Sequence, residues 1–186
     1  MLLVFIMAAL KFVQAINRGK KMIHKITKAL DCVLNFKSVS AHCDVPCGIY
    51  DPSTMQVAAL TVIRFMDQIA ELDGKELTLA DQAKLVRLVS EKEIHAEKVK
   101  HEVRIMWGDY FKAAQFEACP GTNELVHNIM LTGSKCKQGI NRDDSLALLA
   151  LVNEFASSFW KTKGVETFTA TCPYPPAQDV VYPKLG

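Results

Sequence analysis

The sequence predicts an all-α protein, an antiparallel up-down four-helix bundle occupying residues 53–164 of the 186. Two observations carry this. Apolar residues recur at intervals of three and four in four successive segments, the period of helices with one buried face. Helix start and stop signals bracket those segments, and no alternating strand pattern competes. Residues 1–41 read as a leader or transit peptide, 42–52 as a separate reactive stretch, and 165–186 as an extended tail.

Asp51-Pro52 gives the first helix an N-cap and then a proline where the missing N–H costs nothing. Met55, Ala59, Val62, Met66, Ile69 and Leu72 form its stripe, and Asp73-Gly74 ends it. Thr78-Leu-Ala-Asp81 has the form of a capping box. It opens a long second helix reaching about Trp107 or Tyr110, with Val86, Val89, Ala96, Val99, Val103 and Met106 on one face. Glu93 falls on that face too, where a carboxylate belongs either at the stripe's edge or in a polar network near a site. After Cys119-Pro-Gly121 a shorter third helix runs from Thr122 to Leu131 and stops at Gly133, leaving 133–139 as a flexible connection. Leu148, Val152, Phe155 and Phe159 stripe the fourth helix, which closes in Lys161 and Lys163 before Gly164. Those lysines stand where the helix dipole favours positive charge. Cys172-Pro-Tyr-Pro-Pro176 keeps the tail extended, wrapped on the body or a neighbour, or loose.

The formal charge of +2 conceals an asymmetry. Seven Lys/Arg against Asp31 alone give residues 1–41 a net +6, which leaves −4 on 42–186. A mildly acidic body without a basic stripe argues against nucleic-acid binding. The apolar run Met1–Leu10 is far shorter than the roughly 20 residues of a bilayer span, so no membrane span is expected. Basic residues interleaved with Phe12, Val13, Ile16, Ile23 and Ile26 have the composition of an organelle transit peptide or propeptide. The sequence leaves the compartment open, with the cytoplasm or an organelle such as a plastid as the intracellular candidates. The alternative is a basic amphipathic helix lying on the body or a partner.

The chemistry concentrates in His42-Cys-Asp-Val-Pro-Cys-Gly-Ile-Tyr-Asp-Pro52. Six cysteines at 32, 43, 47, 119, 136 and 172 match no small disulfide framework, and only Cys43 and Cys47 form a close pair. Such a pair can be a strained disulfide, half of a metal site or two idle thiols. With His42 beside them, the thiolates suit zinc, copper or nickel far better than magnesium or calcium. Structural zinc wants four side-chain ligands, and three converge here. If the chain is cut between Ala41 and His42, the His42 amine and the Cys43 amide nitrogen join the two thiolates in a plane. Two nitrogens and two sulfurs in a plane are the geometry of nickel(II) or copper(II).

That stretch resembles the nickel hook of the nickel-containing superoxide dismutases, His-Cys-x-x-Pro-Cys-Gly-x-Tyr. Trp107-Gly-Asp-Tyr-Phe-Lys112 and Phe159-Trp-Lys-Thr-Lys163 resemble two further segments of the same family, so the likeness covers residues 42–163. The resemblance implies a helical-bundle subunit, a homohexamer, one nickel per subunit, and a processing protease and nickel chaperone that mature the precursor. It implies that His42 supplies amine and imidazole, Cys43 thiolate and amidate, and Cys47 the second thiolate. Tyr50 and Tyr110 then line the access for superoxide. Where the family holds its histidine ring through a Glu and an Arg, this chain carries Ala58 and His95, so Asp44, Glu93 and His95 are the candidates for that support. Closing the chelate within five residues also predicts a cis Val45–Pro46 bond.

The expected activity is disproportionation of superoxide to dioxygen and hydrogen peroxide by Ni(III)/Ni(II) cycling, after cleavage exposes His42. Two thiolates and an amidate push charge onto the metal and lower its potential into the range that reaction needs. The alternatives are a nickel- or copper-binding bundle without turnover and an interaction protein in which Cys43 and Cys47 are joined.

Overall fold

The computed structural model describes residues 47–186. The leader, His42, Cys43, Asp44 and the Val45–Pro46 bond lie outside the described residues. Helix α1 spans Ser53–Ala70. The Asp51 carboxylate accepts from the Ser53 N–H at 2.7 Å, and the Pro52 carbonyl takes the first helical bond from Gln56. Met55, Ala59, Val62, Met66 and Ile69 are buried as their spacing requires. Helix α2 spans Leu79–Ile105 behind a reciprocal capping box in which Thr78 and Asp81 each receive the other's backbone N–H.

The α2 stripe differs from the expected one. Val86 is exposed, Val89 only half-buried, and Glu93 exposed; the buried line runs Leu88, Lys92, Ala96, Val99, Val103 and Met106. A residue beside Lys92 in sequence lies about 100° further round the helix, so burying the lysine turns Glu93 outward. The reason a lysine is tolerated there is its partners. The Lys92 ammonium donates to the carbonyls of Lys137 at 2.9 Å and Gly139 at 2.6 Å, filling acceptors left open at a helix end. Burial holds that ammonium below the usual lysine range.

A short helix α3, Ala113–Ala118, precedes α4, Thr122–Gln138. Gly133 does not stop α4. It is buried, and a Cβ there would stand 2.9 Å from Lys100 Cγ, so its function is close approach of α4 to α2 rather than termination. Helix α5, Arg142–Thr162, starts at Asn141, whose side chain accepts from the Asp143 N–H. It ends as its lysines and Gly164 (φ +69°) foretell. Helix α1 packs on α2 and α5, and α4 packs on the same two, so the main apolar core lies among these four long helices, with a smaller cluster of Ile69, Leu72 and Leu88 beside it.

The tail is not merely extended. Strands β1, Thr167–Thr171, and β2, Asp179–Pro183, form an antiparallel hairpin with Thr169 opposite Val181. Alternate threonines in β1 and the Val-Val-Tyr run of β2 have strand propensity, which the prolines between them mask. Cys172, Val180 and Val181 are buried. The Gln56 side-chain amide on α1 donates to the Val181 carbonyl at 2.8 Å, and Asn153 on α5 donates to the Asp179 carbonyl.

Cys119, Cys136 and Cys172 are all buried. Burial, aided by the charge of Asp144, pushes the Cys136 thiol from 9.0 up to about 12. Below 9.0 folded and unfolded chains both keep this proton; between 9.0 and about 12 only the folded chain does. Its contribution to stability is therefore lost as pH rises, by about 1.4 kcal/mol per pH unit. Urea unfolding at about pH 8 and about pH 10 should show this loss in the natural chain, and a Cys136→Ala variant should lack that part of it.

Candidate metal centre

The segment leading into α1 carries one of the three predicted metal ligands, Cys47, which is exposed. Gly48 follows at φ +69°, a left-handed conformation that glycine adopts without strain. Ile49 projects into solvent, and Tyr50 turns inward to pack against the main core. The chain thus leaves Cys47 exposed and, three residues later, packs Tyr50 at the core's edge.

The second predicted tyrosine arrives from α2. After Ile105 the chain widens into a π-helical turn, Met106–Tyr110, in which the Phe111 N–H reaches the Met106 carbonyl. Such turns insert a residue into the helical register and recur at functional sites. Here Met106 stays buried, Trp107, Gly108 and Asp109 stay outside, and Tyr110 and Phe111 both turn inward. The rings of Tyr50 and Tyr110 meet at 5.5 Å between centroids, tilted by 49°. Phe159 of α5 backs Tyr110 at 5.0 Å and Phe111 meets it edge-on at 5.4 Å.

Two residues at the end of α5 complete the surroundings. Tyr110 Oη lies 2.7 Å from Thr162 Oγ1, and the Lys163 ammonium stands over the Tyr110 ring, 4.5 Å from its centroid. A cation at that range is attracted by the ring's negative face. Nothing in composition or periodicity marked Thr162 as a neighbour of Tyr110; the signal was only its place in Phe159-Trp-Lys-Thr-Lys163. Lys112, two residues beyond Tyr110, donates to the Gly108 carbonyl and adds a second positive charge.

The remaining candidates lie elsewhere. His95 Nδ1 donates to the Glu91 carbonyl at 2.8 Å, and its ring meets Phe65 edge-on. It stands fifteen residues before Tyr110, about 22 Å along α2. Glu93 is exposed on the same stretch of helix, and Ala58 is buried in the core with no polar group to offer. Neither Glu93 nor His95 is brought to the tyrosine pair within the subunit. Among the described residues, no group of three His, Cys, Asp or Glu side chains converges on a metal-sized space. Of the three expected donors, Cys47 is described, while His42 and Cys43 precede the described segment. No described helix is long and apolar enough to cross a membrane.

Comparison with known proteins bears on the whole arrangement. The family model for nickel-containing superoxide dismutase matches residues 37–163, a span holding His42, Cys43, Cys47, Tyr50 and Tyr110. The superoxide dismutase [Ni] of Streptomyces coelicolor is 33% identical over 126 residues, 68% of this chain and 91% of that protein. The enzyme of the same name from Streptomyces seoulensis is 33% identical over 125 residues, 67% of this chain and 90% of that one. The native 1.30 Å structure of nickel superoxide dismutase superposes with a TM-score of 0.59 at 31% identity, covering 66% of this chain and 99% of that chain. A structure with the nickel ligation of the oxidised state gives the same TM-score at 32% identity and the same coverage. The matched span ends at Lys163, so the hairpin lies beyond it. With the described fold, the paired tyrosines and this match in agreement, the chain belongs to the nickel-containing superoxide dismutase family.

Proposed function

We infer that this chain, once cut before His42, is a nickel-dependent superoxide dismutase. The observation that carries the reading is the Tyr50–Tyr110 pair seated three residues after an exposed Cys47. The donor set fits nickel: the His42 amine and imidazole, the Cys43 thiolate and amidate and the Cys47 thiolate would hold it, and soft sulfur with amide nitrogen suits that ion. Nickel bound there supplies the one-electron oxidation and reduction that turn two superoxide ions and two protons into dioxygen and hydrogen peroxide.

The chain's own residues do the rest. Thiol ligands bind a metal as thiolates and release their protons, so loading is favoured by raised pH. Lys163 and Lys112 place positive charge around Tyr110 and draw an anion inward. The tyrosine rings narrow the approach, and the Tyr110 hydroxyl is held at Thr162, where its oxygen can order water. The four long helices form an antiparallel up-down bundle that carries the hook at its amino end, and six such subunits assemble as a homohexamer. A protease exposes His42 and a chaperone delivers the nickel.

Mass spectrometry of the mature chain, with metal content and superoxide turnover on the same sample, tests this. A chain beginning at His42, holding about one nickel and turning over superoxide, is the expected result. A native chain starting upstream and free of nickel would sink it. A second reading, nickel held without turnover, is favoured by Ala58 and by the remoteness of His95, and loading without turnover would select it.

A further inference from the structure

The hydroxyl of Thr162 is already committed. It donates to the Phe159 carbonyl at 2.6 Å, and a hydroxyl has a single proton. Toward Tyr110, 2.7 Å away, Thr162 Oγ1 is left with lone pairs only. The Tyr110 hydroxyl must therefore be the donor in that bond. Having spent its proton on α5, Tyr110 offers only acceptor positions to anything else that approaches its oxygen. The ring cannot swing to relieve this, because Tyr50, Phe111 and Phe159 pack around it.

We propose that Thr162 is a positioning residue that fixes Tyr110 as a hydrogen-bond acceptor, so that Tyr110 holds a protic molecule, water or the protonated peroxide product, rather than the superoxide anion. Superoxide carries lone pairs and no proton, so it has nothing to give the Tyr110 oxygen. Its attraction comes instead from charge, and Lys163 over the same ring provides that. The two adjacent residues at the end of α5 thus divide the work: Lys163 favours the anion's approach, while Thr162 keeps Tyr110 from binding it. This assignment rests on the dismutase reading for its consequence in turnover, but the direction of the hydrogen bond does not depend on nickel.

The experiment uses the mature chain, cut before His42, with and without nickel. Raman spectra of the tyrosine Fermi doublet, whose intensity ratio reports whether the hydroxyl donates or accepts, are taken for the natural chain and for Thr162→Val and Thr162→Ser. Subtracting a Tyr110→Phe variant isolates Tyr110 from the other three tyrosines. The natural chain should show the low ratio of a strong donor, Thr162→Val a clear rise, and Thr162→Ser the natural ratio. In the nickel-loaded protein, Thr162→Val frees the Tyr110 proton for an anion, so azide should inhibit at severalfold lower concentration. An unmoved doublet overturns the proposal, as does an azide midpoint that stays put while only the melting temperature falls. Absence of nickel or turnover in the natural mature chain would instead defeat the dismutase reading, and would leave the doublet ratios as they are.

Discussion

Cys47→Ser should reduce superoxide turnover to the background rate and lower nickel content, while leaving unfolding free energy within about 0.5 kcal/mol of the natural chain. The expectation has two parts. A serine hydroxyl is harder and far less acidic than a thiol, so it withdraws a thiolate that both binds the metal and lowers its potential. The fold is spared because Cys47 is exposed and precedes every described helix; the first buried side chains of α1 are Met55 and Gln56. Turnover, metal analysis and a urea melt on one preparation check all of it. A variant that keeps its nickel and its rate would remove Cys47 from the ligand set. One that unfolds would show that the segment before α1 supports the core.

Phe159→Ala should produce the largest combined loss. Phe159 is fully buried, and removing such a ring costs about 3–5 kcal/mol, a large share of the roughly 5–15 kcal/mol that holds a domain together. Its ring also backs Tyr110 and meets Trp160 at 5.0 Å, so the cavity opens directly behind the site. Leu148→Ala is the control. Leu148 is equally buried, eleven residues earlier and about 16 Å back along α5, and its truncation costs about 2–5 kcal/mol. Both variants should melt earlier, but only Phe159→Ala should also lose activity well below its melting temperature. Equal activity losses in the two would mean that Tyr110 does not depend on its aromatic backing.

How far the sequence could be read depended on which force decided each feature. Caps and apolar spacing are local, so Asp51-Pro52, Thr78 with Asp81, and the Phe155 and Phe159 stripe were legible from the residues alone. Gly133 misled because a glycine that stops a helix and one that lets two helices approach look alike in sequence; Lys100 on the facing helix decides between them. The α2 stripe misled likewise, since the carbonyls that let Lys92 be buried in place of Val89 and Glu93 stand 45 and 47 residues away from it. Cys47, Tyr50 and Tyr110 were nominated by their motifs, and the structure brings the two tyrosine rings together. The pairing of Thr162 with Tyr110 was not legible, because it depends on a π-helical turn and a helix end meeting in space, 52 residues apart.

The bond from Gln56 to Val181 joins positions 125 residues apart, nearly the two ends of the described fold. Chain synthesis proceeds from the amino end, so Gln56 and the first turn of α1 emerge long before their carboxyl-terminal partner exists. The start of α1 gains that tie only once Val181 has left the ribosome. That tie between α1 and the hairpin is therefore a late event in the making of each chain, set by topology.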